Sequence, residues 1–131
     1  MKVNCNSLKL EADNISILGQ NAQAKNNFSI TIGQTYTVFG LTFSFGGFGS
    51  GCFVQILSDN NHLIDVPIVL FETVDNRLSK YWEFKSYPDG GITLWPPSFY
   101  KDYYHDDLSE DIPEVVEDFK KVRELLINEY D

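Results

Sequence analysis

The sequence predicts an α+β fold: a small, twisted, antiparallel β-barrel-like sheet with a single C-terminal amphipathic helix. Three observations carry this prediction. Short β-branched and aromatic runs alternate with turn clusters about every ten to fifteen residues, the spacing of small antiparallel architectures. No stretch of helical period separates those runs, which excludes a βαβ arrangement. The one sustained stripe with steps of three and four lies at the end of the chain. With 131 residues, 43% of them hydrophobic, the chain has the size of one domain and enough apolar surface to fold without a disulfide framework.

Residues 1–34 read as a lead-in whose alternation, in Leu8-Lys9-Leu10 and again in Phe28-Ser29-Ile30-Thr31-Ile32, predicts short edge strands. Residues 35–95 supply the sheet. From Thr35 to Phe45 most residues are β-branched or aromatic, and Phe39, Leu41, Phe43 and Phe45 fall on one face at period two. The glycine cluster of residues 46–51 reverses the chain into Cys52-Phe53-Val54-Gln55-Ile56-Leu57, making a hairpin. Asp59-Asn60-Asn61-His62 forms a turn, Val66-Pro67 is extended, and two further strands, Leu70–Val74 and Tyr81–Lys85, flank a turn at Asp75-Asn76-Arg77. Pro88-Asp89-Gly90-Gly91 then turns into Ile92-Thr93-Leu94-Trp95. Residues 96–110 form an aromatic and acidic loop, and residues 111–130 the helix. Asp111 and Glu114 have capping-box spacing with Pro113 in the first turn. Ile112, Val115, Val116, Phe119, Val122, Leu126 and Tyr130 form the packed stripe, and Glu117 to Lys121 makes an i,i+4 pair on the solvated side.

Charge narrows the function. The formal net charge is -9, and residues 101–131 hold 11 acids against 4 bases, whereas residues 1–100 hold 8 against 6. Such a chain repels phosphate backbones and anionic bilayers, so neither nucleic acid nor membrane is an expected partner. A basic protein is. The first residues lack the apolar run of a signal peptide, and Cys5 and Cys52 form neither a zinc nor a redox spacing, so a reducing cytoplasm is the expected location. The sequons at Asn14 and Asn27 carry no meaning there.

Chemistry-bearing patterns are sparse. The glycine cluster lacks the Gly-Lys-Ser/Thr ending of a phosphate loop. His105, Asp106 and Asp107 offer hard ligands, but adjacent positions do not converge, so neither a metal nor a cofactor is expected. A catalytic reading would take Cys52 as nucleophile with His62 or His105 as base in a small hydrolase, but no local pattern joins them. The stronger signal is the loop between the last strand and the helix. Trp95 and Phe99 belong against the sheet, while Tyr100, Asp102, Tyr103, Tyr104, His105, Asp106, Asp107 and Glu110 form a candidate protein-binding surface, with tyrosines as anchors and carboxylates as steering charges.

The runs Thr35-Tyr36-Thr37-Val38-Phe39-Gly40, Val66-Pro67-Ile68-Val69-Leu70-Phe71-Glu72-Thr73-Val74-Asp75 and Arg77-Leu78-Ser79-Lys80-Tyr81-Trp82 resemble small bacterial immunity proteins encoded beside polymorphic toxins, including those of contact-dependent growth inhibition systems. The resemblance covers roughly residues 33–85. It implies a cytoplasmic, non-catalytic protein that binds and neutralises a cognate toxin domain, expected to be a nuclease with a basic cleft, and it transfers no contact residue. Two other readings stay open on the residues alone: the small hydrolase, and a generic small-barrel interaction adaptor.

Overall fold

The computed structural model describes residues 1–10, 28–45 and 50–130. Most of the glycine cluster and both sequon asparagines lie outside the described residues. The fold is mixed α+β. Its strands are β1 (Lys2–Cys5), β2 (Thr35–Thr37), β3 (Gly40–Ser44), β4 (Gly51–Leu57), β5 (Leu63–Pro67), β6 (Phe71–Asp75), β7 (Glu83–Ser86) and β8 (Ile92–Trp95). Among the described residues they form two antiparallel sheets, one in the order β2-β1-β6 and one in the order β5-β4-β3-β8-β7. Two helices follow, α1 (Tyr104–Ser109) and α2 (Pro113–Asn128). None of the described helices is long and apolar enough to cross a membrane.

The expected β3–β4 hairpin is present, with Leu41 opposite Val54 and Phe43 opposite Cys52. The lead-in departs from expectation. Its first residues form β1, the central strand of the small sheet, with Val3 facing Tyr36 on one side and Thr73 on the other. Val3 and Cys5 point inward and are buried, and Gly33 makes the positive-φ turn that brings β2 back beside β1. Residues 28–32 form no strand. Side chains hold them instead: Asp59 accepts from the Thr31 hydroxyl at 2.6 Å and from the Tyr36 hydroxyl at 2.8 Å.

The run from Thr35 to Phe45 is also divided. At its break the chain passes from one sheet to the other: Val38 donates its N–H to Met1 O and Phe39 donates to Gln55 O. The two side chains then enter different cores. One core lies between the sheets and takes Val3, Tyr36, Val38, Leu41, Val54, Ile56 and Val66; the other lies under the helices and takes Phe39, Phe99, Tyr104, Phe119, Val122 and Leu126. Phe43 and Phe45, expected on the packed face with Leu41, are exposed, because that core ends before reaching them.

The helical end differs most. The segment 96–110 is a 3-10 turn over Pro97–Tyr100 followed by α1, not a loop. The second helix starts at Pro113, two residues after the expected Asp111, and no side chain caps it. Asp111 instead has φ 57, with its N–H bonded to Leu108 O and that of Ile112 to Asp107 O. This is a Schellman ending for α1, and it removes Asp111 from the capping box. Of the expected stripe, Phe119, Val122 and Leu126 are buried while Ile112 and Tyr130, at its two ends, remain exposed. The ion pair on the outer face joins Glu117 to Lys120 at 3.0 Å rather than to Lys121.

Candidate functional site

The candidate surface rests on a polar layer on the helix-facing side of the large sheet. Gly40 faces Gln55 across β3 and β4, and Thr42 faces Thr93 across β3 and β8. Trp95 lies over this layer and donates its indole N–H to the Thr42 hydroxyl at 3.1 Å. A Cβ on Gly40 would lie 2.8 Å from the Trp95 ring and 3.0 Å from Gln55 Oε1, so glycine is what lets these side chains settle on the sheet. Gln55 is 3% exposed and its Oε1 has no partner among the described residues. Its amide nitrogen lies 3.4 Å from His105 Nε2 and also favours the ionised form of the Asp65 carboxyl. Asp65 is exposed as a residue, yet crowding protein atoms still raise its carboxyl above the usual range.

Above this layer the eight predicted surface residues separate by environment. Tyr100 is half-buried; its hydroxyl lies 2.8 Å from the Thr93 hydroxyl and donates to Glu83 O at 2.7 Å, fastening the 3-10 turn to β7 and β8. Tyr104 is 3% exposed and donates to Asp118 at 2.9 Å, so this predicted anchor belongs to the core. Burial and the Asp118 carboxylate both push its phenol well above the ordinary range. His105 is half-buried, its ring centroid 5.1 Å from those of both Trp95 and Phe99. Burial lowers its pKa, with Asp106 acting in the opposite sense.

The remaining five face outward. Asp102, Tyr103, Asp106 and Glu110 are exposed, and Asp107 is partly so. Tyr103 is 75% exposed with φ 62, a left-handed backbone that costs a non-glycine residue about 1–2 kcal/mol. The bend it makes sends Tyr104 inward, and Asp107 donates its N–H back to Tyr103 O to open α1. Asp106 and Asp107 then lie in the first turn, where the helix dipole favours negative charge.

The acidic run continues past the predicted residues. From Asp102 to Phe119 there are eight acids and no lysine or arginine. Asp111, Glu114 and Glu117 are exposed along the start of α2. Sequence reasoning placed those three in a helix and left them out of the surface. It also missed Gln55, whose signal was a lone amide within the apolar strand Phe53-Val54-Gln55-Ile56-Leu57.

Burial pushes the Cys52 thiol up to about 11, which leaves it protonated at neutral pH. The His105 imidazole is enclosed by aromatic rings. Among the described residues no group of three or more His, Cys, Asp or Glu side chains could hold a metal ion. In comparisons with known proteins, no family model, curated protein or solved structure matches this chain.

Proposed function

We propose that this chain is a non-catalytic immunity protein that binds a basic bacterial toxin domain, expected to be a nuclease, in the cytoplasm and neutralises it by occupancy. The observation that carries the reading is the unbroken acidic run from Asp102 to Asp118 around the exposed Tyr103. Carboxylates at that density draw in a cationic partner and raise the encounter rate, while an exposed aromatic supplies the contact that slows dissociation. The resemblance of residues 33–85 to immunity proteins points the same way. In this reading the two sheets form a barrel-like scaffold that holds the acidic layer. Nucleic acid and membrane are not partners.

The test is calorimetric titration with the toxin domain encoded next to this gene. Tyr103→Ala should weaken binding by about 2 kcal/mol, the loss of one aromatic anchor. Unchanged affinity in that variant would remove this surface from the interface. Detectable turnover of a substrate by the purified chain would overturn the non-catalytic reading.

A further inference from the structure

Strand β7 ends the five-stranded sheet, and among the described residues only β8 pairs with it. All four of its residues are exposed, and Phe84 is 65% so. Edge strands in monomeric proteins are usually guarded by short length, charge or proline. This edge carries charges of both signs around an uncovered aromatic ring.

The direction of its free peptide groups follows from the ladder. Lys85 faces Thr93, Glu83 faces Trp95, and just beyond them Tyr87 donates its N–H to Gly91 O at 2.9 Å. Antiparallel strands turn the peptide groups of alternate residues to opposite sides. Tyr87, Lys85 and Glu83 therefore bond towards β8, and Phe84 and Ser86 present their N–H and C=O outward.

We infer that β7 is the seam of a homodimer, in which two copies join their large sheets by antiparallel β7–β7 pairing about a two-fold axis through Phe84. Phe84 meets its own copy as a hydrogen-bonded pair, using the peptide groups that point outward. Glu83 of each copy then stands opposite Lys85 of the other, on the helix-facing side. The two Phe84 rings meet on the other side, continuing the Phe84–Leu94–Leu41 row across the seam. Other residue-centred axes do worse: at Glu83 or Lys85 they place like charges opposite each other, and at Ser86 they place Glu83 opposite Asp89. The edge is complementary to itself in one register.

Sedimentation of the full chain across a concentration series tests this. The wild type should show a reversible monomer–dimer equilibrium. Glu83→Lys and Lys85→Glu should each raise the dimer dissociation constant about tenfold or more, by opposing like charges twice across the axis. The double swap, Glu83→Lys with Lys85→Glu, should return it to within about threefold of wild type. Phe84→Pro, which removes an outward N–H and leaves the β8 ladder intact, should abolish the dimer without altering the circular dichroism spectrum. A wild type that stays monomeric into the millimolar range overturns the inference. So does a dimer indifferent to all four variants, or an edge at which Phe84→Pro affects only the binding of a different protein.

Discussion

Gly40 and Gln55 occupy facing positions, and each accounts for the other: a buried amide can lie flat on the sheet only where its neighbour has no side chain. Gly40→Ala should cost about 1–3 kcal/mol, because the Trp95 ring and the Gln55 carbonyl must both give way. Urea unfolding measures this, and a midpoint equal to wild type would refute the packing argument. Tyr103 and Tyr104 show how adjacent identical residues diverge. Tyr103→Gly should stabilise the fold by about 1 kcal/mol by relieving the left-handed backbone. Tyr104→Ala should cost about 3–5 kcal/mol by emptying a core position. Thermal melts of the two variants should therefore shift in opposite directions. The pair Tyr-Tyr contains no signal for this division, since both residues suit a surface and a core equally well. The bend that decides between them is set by how α1 docks on Phe99 and α2, which is tertiary information.

At the scale of elements, the connection between α1 and α2 is made by an aspartate in a conformation that favours glycine. Asp111→Gly should add about 1 kcal/mol to stability, read from the thermal midpoint; a lower midpoint would mean that the Asp111 carboxylate has a role the Schellman geometry does not explain. His105 joins α1 to the sheet and titrates below its ordinary value. The unfolded chain thus takes up this proton more readily than the folded one. Stability from this group is complete above the unfolded value of 6.5 and declines as the pH falls through it. Melting temperatures followed from roughly pH 8 to pH 5 should show that decline, and His105→Gln should flatten it. The β3–β4 hairpin and α2 were legible because each repeats its pattern over several residues. Strand β1 was not, because four residues give only two inward positions, Val3 and Cys5, and partners far away in the sequence make it a strand. Helix α1 offered one short step from Tyr104 to Leu108, too little to separate a helix from an aromatic loop.

Across the whole molecule, the acids concentrate in the helical layer that follows the last strand. In the proposed function, association with the basic toxin domain should therefore slow about tenfold or more as salt rises from low to several hundred millimolar, with dissociation changing much less. Stopped-flow measurements would separate the two rates, and equal salt sensitivity in both would argue against electrostatic steering. The acidic segment was readable from composition alone. The same count covered α2, but its acids were read as the ordinary charges of a solvated helix face and so were not joined to the surface. The position of β1 has a kinetic consequence. Its central place depends on β6, whose Thr73 faces Val3 from 70 residues further along the chain. Tyr36 of β2 follows Val3 by 33 residues, so the small sheet closes only once the more distant segment meets the first two. Refolding should accordingly fall in roughly the millisecond-to-second range of topologies ruled by long-range pairing, and Val3→Ala should speed unfolding more than it slows folding.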